Sequence, residues 1–453
     1  MPCVKGRSCG PWKSPVTKLD LHGYCERVDA KDPIATYGRV VDVVGLTIEA
    51  TGPTMKVGDL CYIQPAHGEK RVPVEVVGFR GERILLMALG SMYGLGPGDL
   101  LVPTFKPETV RVGSELLGRV VDGMGQPLDG GPALKCETQV PLVAAAPRPM
   151  ERRRITEPIA TGIRAIDACI TCGKGQRVGI MSGSGVGKSK LMGMIARTTN
   201  ADVIVIGLIG ERGREVRDFI EVDLGTEGLA RSVVVVATSD EPCLRRIKGA
   251  YLATAIAEWF RGQGADVMLL MDSLTRFAMA QREVGLSIGE PPTTKGYPPS
   301  MYMMLPRLLE RAGTSATGSI TGMYTVLVEA DDLNDPVGDA SRSILDGHIA
   351  LTRDLASRGH YPPIDVLQSV SRAMMDVTDE RHQRLAQRMR FMLATYRDAE
   401  DLINIGAYVQ GSNPDIDVAV RLMPGLRAFL QQGLFETTPY EQITALMTKA
   451  LGG

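Results

Sequence analysis

Between Arg177 and Ala196 the sequence RVGIMSGSGVGKSKLMGMIA runs apolar residues into a glycine-rich turn, then a lysine and a hydroxyl residue, then a helix-forming pattern. That order suits a ligand carrying phosphates. Gly183, Gly185 and Gly187 reach backbone angles closed to other residues and carry no side chain, so the N–H groups of Ser184, Gly185, Val186 and Gly187 can turn toward phosphate oxygens. Lys188 adds charge at the β/γ-phosphates, and Ser189 offers a hydroxyl to Mg2+. Lys190 completes the candidate contacts in the first turn of a helix, whose N-terminus favours anions. Ser182 stands where the usual pattern opens with glycine. The spacing G-x-G-x-G before Lys-Ser also differs from the G-x-G-x-x-G of dinucleotide loops.

Such a loop becomes hydrolytic only with a metal-binding acid, a residue that positions water and a group that stabilises the transition state. Asp272 ends the apolar run VMLLMD, where an acid at a strand's carboxyl edge can hold Mg2+; the same residue is also suited to cap a helix beginning at SLTRF. Glu211 follows VIVIGLIG in GERGREV, placed to orient or deprotonate a water. Glu215 and Glu221 read as structural. In HYPPIDVLQSVSR, Tyr361 offers a flat face for adenine and Arg372 a guanidinium for a γ-phosphate, although surface arginines are common.

These residues need strands to carry them. DVIVIGLIG, SVVVVATSD, ADVMLLMDS and MYTVLVEA alternate with helix-length segments, which predicts a parallel sheet covered by helices on both faces, an α/β nucleotide-binding core. Upstream, GRVVDVVGLTIEATG, DLCYIQ, RVPVEVVGFRG and RILLMALG are short strands broken by turns, the pattern of a small barrel or sandwich. GRVVD occurs at Gly38–Asp42 and again at Gly118–Asp122, which predicts one hairpin solution used twice. Gly94–Gly98 reads as a hinge. The expected division is a basic tail over 1–19, a barrel domain over 20–93, an ATPase-type core over 94–377 and a helical domain over 378–453.

The 453 residues are 44% hydrophobic and 23% charged with a formal net charge of -1, so charge alone favours no nucleic acid. With no secretory signal or membrane-length apolar run, the eight cysteines read as reduced cytoplasmic thiols. The lone CxxC at Cys169–Cys172 lacks the second pair a zinc site wants. The tail over 1–19 holds Lys5, Arg7, Lys13 and Lys18 and no acid, which suits a mobile segment or contact with an anionic surface. The arginines around Arg381–Arg390 read as a solvated helix face.

SGSGVGKS, GERGREV, LLMDSLTRFAMAQREVGLSIGEPPTTKGYPPS, GSITGMYTVLVEADDLNDP, ILDGHIALTRDLASRGHYPPIDVLQSVSR and GAYVQGSNPDID occur together and in order. With them the chain resembles, over about residues 20–440, the flagellar and type III secretion export ATPases, relatives of the catalytic subunits of rotary ATP synthases. The stretches at Met279–Ser300 and Gly406–Pro414 are more similar to the flagellar branch than to the injectisome branch, and they argue against a rotary proton-pumping subunit. The resemblance implies an N-terminal β-barrel, a RecA-like P-loop NTPase core and a C-terminal helical domain, with ATP and Mg2+ bound. It implies that Lys188 and Ser189 hold phosphates and Mg2+, that Asp272 is the metal-site acid, and that Glu211 activates water with Arg212 beside it. Arg276 would be a nearby polar organiser, Tyr361 would pack on adenine, and Arg372 would serve the neighbouring subunit's nucleotide in a hexameric ring. Expected partners are a peripheral regulator, a coiled-coil stalk protein, the export gate and chaperone–substrate complexes, at the inner face of the cytoplasmic membrane.

Overall fold

The structure is a computed structural model and describes residues 36–66, 70–105, 108–328 and 335–453. The basic tail and residues 329–334 lie outside the described residues.

The first module is made of strands whose alternate residues turn inward. β1 (Gly38–Val44), β2 (Thr47–Thr51), β3 (Leu60–Gln64), β4 (Val72–Arg80), β5 (Arg83–Ala88) and β6 (Leu100–Pro103) close into a barrel in the order β1-β2-β5-β4-β3-β6. Ile48, Ile63, Val74, Val76, Leu86 and Leu101 fill it and are buried. The boundary expected after residue 93 therefore moves, because β6 lies beyond it and pairs with both β1 and β3, which would otherwise keep open edges. The glycine segment before β6 is a turn and not a hinge: Gly94 and Gly98 have φ 85° and 94°, and Asp99 accepts from the Gly96 and Ala66 N–H groups at 2.8 Å each.

The second GRVVD copy keeps the expected hairpin, with Val121 bridged antiparallel to Pro127, but its turn and its other neighbour differ from those of the first. The first copy is barrel strand β1; in the second, β7 (Val120–Asp122) is an edge strand running parallel to β10 (Ser232–Ala237) in the central sheet. The shared aspartate has different work in each copy, since Asp42 lies within the β1–β2 ladder opposite Glu49. In the second, the Asp122 carboxylate accepts from the Met124 and Gln126 N–H groups and so shapes the turn of its hairpin.

The central sheet adds β8 (Arg177–Ser182), β9 (Val203–Ile209), β11 (Asp266–Asp272), β12 (Ser319–Leu327), β13 (Gly347–Leu351) and β14 (Ile364–Ser371), in the order β14-β13-β8-β12-β11-β9-β10-β7. All neighbours along this path are parallel except β13 and β14. The continuous apolar runs have a direct reason. In β9, Val203, Val205 and Ile209 enter the core on one face while Ile204, Ile206 and Leu208 enter the core on the other. Helices α1 (Lys188–Thr198), α2 (Cys243–Gly262) and α3 (Leu274–Ile288) cover the faces, and α4 (Pro336–Ile344) precedes β13. The chain ends in α5 (Glu380–Asn404), α6 (Pro414–Leu430) and α7 (Ile443–Ala450), the helical domain expected there.

A buried cation ties the barrel to the core. Lys248 of α2 reaches Glu75 of β4 at 2.5 Å and also pairs with Glu108. Burial raises the Glu75 pKa, and Lys248 opposes the rise. Lys248→Met would strand two carboxylates and is expected to lower the free energy of unfolding by roughly 3–5 kcal/mol. Equilibrium denaturation measures it, and a change below about 1 kcal/mol would mean the cluster acts like a surface bridge.

Candidate active site

The strand order brings the carboxyl ends of β8, β12, β11 and β9 side by side at one sheet edge. Lys188 opens α1 just past β8, Asp272 ends β11, and Glu211 stands two residues beyond β9. The Lys188 Nζ lies 2.5 Å from Asp272 Oδ1 and 3.6 Å from Glu211 Oε1. Gly210 supplies the bend before Glu211: its φ is 75°, and a Cβ there would meet the Arg276 Cβ at 2.6 Å.

Three charges in a half-dry pocket shift one another. Burial works against the Lys188 ammonium, but Asp272 and Glu211 outweigh it and hold its pKa above the ordinary lysine value. Glu211 is pushed up to about 7, first by burial and then by the Asp272 charge, against the pull of Lys188. A carboxyl poised near neutrality can take or give a proton there.

Asp272 is 2% exposed and holds one further bond, because the Thr325 hydroxyl of β12 donates to its Oδ1 at 2.7 Å. Sequence reading missed Thr325. Its only signal is a hydroxyl inside the apolar run MYTVLV, on the strand that separates β8 from β11. The helix cap for which Asp272 is equally suited is provided by Ser273, whose side chain accepts from the Arg276 N–H at 3.3 Å.

The loop fits a triphosphate. Gly185 and Gly187 have φ 77° and 102°, and a Cβ on either would enter space with no atom within 4 Å. Between them Val186 is buried and anchors the loop to the core. Ser182 is the last residue of β8; its carbonyl accepts from the Val328 N–H at 2.9 Å, and its buried hydroxyl has no hydrogen-bond partner among the described residues. The Ser189 hydroxyl and the Asp272 carboxylate are hard oxygen donors, the set Mg2+ prefers.

Other expected residues are placed less centrally. The Arg212 side chain is exposed and pairs with Glu215 at 3.3 Å, and the Lys190 ammonium pairs with Asp223 at 2.7 Å, so only its main chain remains for phosphate. Arg276 lays its stem against Gly210 and directs Nη1 to Met279 Sδ at 3.6 Å. Tyr361 is 53% exposed, and its carbonyl accepts from the Gln432 N–H at 2.9 Å. That contact brings in Phe435, 70% exposed with Arg197 of α1 stacked on its ring at 5.0 Å, a second aromatic that sequence reading missed. Cys169 and Cys172 are buried, and burial pushes the Cys169 thiol up to about 12 and Cys172 up as well. His382 reaches the CxxC segment, Nε2 lying 2.9 Å from the Ala168 carbonyl. Arg390 leaves the solvated face expected for it and donates to the Ser369 carbonyl of β14 at 2.6 Å.

Arg372 lies elsewhere. Register aligns Ser182 with Leu351 and Leu351 with Ile364, so β14 starts level with the loop and runs away from it to Ser371, opposite Gly347. Four residues of strand separate those two levels, about 13 Å, more than an arginine side chain extends.

Thr325→Val is expected to lower nucleotide hydrolysis about 10- to 100-fold while Thr325→Ser retains it, since the hydroxyl orients the acid beside Lys188. Steady-state turnover checks this, and a valine variant at the original rate would remove Thr325 from the site.

The glycine loop after β8, the acid that ends β11 and a carboxylate near neutrality meet at one edge of the sheet, an arrangement suited to nucleotide hydrolysis. Residues 162–371 match the nucleotide-binding domain of the ATP synthase alpha/beta family, and residues 378–449 match the T3SS EscN ATPase C-terminal domain. The chain is 52% identical over 427 residues to the flagellum-specific ATP synthase of Bacillus subtilis, covering 94% of this chain and 97% of the relative. It is 50% identical over 412 residues to the type 3 secretion system ATPase of Xanthomonas euvesicatoria, covering 91% and 93%. The assembled ATPase EscN of the enteropathogenic E. coli type III secretion system superposes with TM-score 0.88 at 43% identity, and EscN in complex with its central stalk EscO with 0.85 at 42%; each covers 91% of this chain and 100% of the other. Identity of this extent, over a fold that agrees, makes the chain an ATPase of the family that joins the flagellum-specific ATP synthases and the type III secretion ATPases.

Proposed function

We propose that this chain hydrolyses MgATP as a homohexameric ring with sites between subunits, and that the ring energises protein export through the flagellar apparatus. The observation that carries the ring is the position of Arg372: at the far end of β14 it serves a phosphate only if that phosphate belongs to another copy.

In this reading Lys188 and the main chain from Ser184 to Lys190 hold the phosphates, and Ser189 with Asp272 holds Mg2+, which neutralises charge at the phosphate oxygens when bound. Glu211 orients the attacking water with Arg212 beside it, Tyr361 and Phe435 face the adenine, and Arg372 completes the next subunit's site. A central stalk, known for EscN from its complex with EscO, is expected here, along with the peripheral regulator, the export gate and chaperone–substrate complexes. No helix among the described residues is long and apolar enough to cross a membrane, which fits a ring held at the inner face by partners.

The match of the C-terminal helices to the EscN domain favours a second reading, export through an injectisome. Deletion in the native host separates them: loss of filaments supports flagellar use, and loss of effector secretion alone overturns it.

Glu211→Gln should bind ATP as before and lose most hydrolysis; unchanged turnover at saturating ATP would sink its role. Because burial and Asp272 raise the Glu211 pKa to about 7, the carboxyl is neutral and inactive as a base below that pH. The value of kcat/KM should therefore fall about tenfold per pH unit below 7 and level off above it, and a flat profile across neutrality would contradict the assignment. Removing Arg372 should cost on the order of 10³–10⁵ in rate.

A further inference from the structure

Arg372 is exposed, and the place from which its side chain leaves the surface is set by its main chain. That main chain is held at two successive residues. The Arg372 N–H donates to the Asp346 carbonyl at 3.0 Å, and the Ser371 hydroxyl donates to the Thr171 carbonyl at 2.7 Å. Gln176 Nε2 donates to the Asp346 carbonyl at 2.9 Å and to Ser371 Oγ at 3.1 Å, linking the two anchors.

Asp346 is itself clamped. Its Oδ2 accepts from Arg177 Nε at 3.1 Å and from the Arg177 N–H at 3.2 Å, its Oδ1 accepts from Arg177 Nη2 at 3.3 Å, and its own N–H donates to the Arg177 carbonyl at 2.8 Å. A second carboxylate fixes the arginine, because Arg177 Nη1 lies 2.5 Å from Glu310 Oε1. Arg177 is the first residue of β8, the strand whose last residue leads into the phosphate loop. One rigid strand thus runs from the loop of a subunit's own site to the anchor of the arginine it presents outward.

The geometry points to Asp346, clamped by Arg177, as the positioning residue for Arg372: it fixes the arginine that completes the adjacent subunit's site, and it ties that arginine to the strand bearing the subunit's own phosphate loop. This rests on the in-trans reading of Arg372. Asp346 touches no substrate and acts only through the main chain of Arg372.

The inference predicts where a defect is felt. Asp346→Ala should lower kcat about 10- to 100-fold with KM for ATP near the original value, since a misaimed arginine weakens the transition state more than ATP binding. Asp346→Asn, which keeps shape and loses charge, should fall between the two, and it stands in if the alanine ring fails to assemble. The deciding measurement is ATPase activity of mixed rings. Asp346→Ala subunits keep an intact Lys188 and Glu211, and Glu211→Gln subunits keep an intact Arg372. An equimolar random ring should have roughly a quarter of its interfaces competent, and activity well above either parent supports the inference. Rings mixing Arg372→Ala with Glu211→Gln are the reference. If they recover activity and the Asp346 mixture does not, Asp346 acts within its own site and the inference is overturned alone. If neither mixture recovers, the in-trans reading of Arg372 falls and takes this inference with it.

Discussion

One ammonium between two carboxylates sets the demands on the rest of the chain. Lys188, Glu211 and Asp272 are far apart in sequence, yet Nζ lies 2.5 Å from one acid and 3.6 Å from the other. Side chains from three separate segments reach such distances only if the segments end at one level, and a parallel sheet provides that because each crossover helix returns the chain to the same starting edge. The sheet in turn must be dry on both faces, which is why its strands are nearly all apolar. The cluster is also short of positive charge, two carboxylates against one ammonium. Glu211 relieves the imbalance by holding a proton up to about pH 7. A triphosphate would add negative charge to the same place, so the proposed Mg2+ and the proposed guanidinium from a neighbour answer a need already present in the free site.

Strand β14 explains how one chain can offer parts to two sites. Tyr361 stands before its first residue, at the loop end of the sheet, and Arg372 follows its last residue at the other end. Antiparallel pairing with β13 is what makes this possible, since a parallel β14 would have started at the edge far from the loop. The tyrosine and the arginine therefore look toward different nucleotides in the proposed ring, on a common rigid support.

Much of this was legible in the sequence. Continuous β-branched runs marked the sheet, and Lys188, Glu211 and Asp272 were legible because each sits at the end of such a run. Features set by distant partners were not. Thr325 is one hydroxyl in an apolar strand, and its importance comes from the neighbouring strand's acid. The barrel's last strand, Leu100–Pro103, is shorter than the glycine turn before it is conspicuous, and only pairing with β1 and β3 assigns it to the barrel. The two GRVVD copies are identical in sequence and both form hairpins, but the second neighbour is the antiparallel barrel strand β6 for one and the parallel sheet strand β10 for the other. Arg390 reads as a surface arginine until β14 is seen beneath it.

The helical domain has no separate interior, and this bears on how it can respond to ATP. Leu426, Ile443 and Met447 from its helices share one apolar cluster with Leu191, Met192 and Ile195 of α1, the helix that leaves the phosphate loop. Its loop is bound to the same region. Gln432 donates through its N–H to the Tyr361 carbonyl and through Nε2 to the Gly162 carbonyl at 2.7 Å, and Arg197 at the end of α1 donates to the Leu434 carbonyl at 2.6 Å. Close-packed interiors move between discrete arrangements and do not deform smoothly. In the proposed site, a shift of α1 on phosphate binding would therefore carry into the apolar cluster it shares with the helical domain. The barrel is joined at the opposite side of the sheet by the buried Lys248 cluster, whose charges resist separation. The barrel also packs on that side: its Met87 shares an apolar cluster with Met181 of β8, so each outer module is continuous with one face of the sheet whose edge carries the loop.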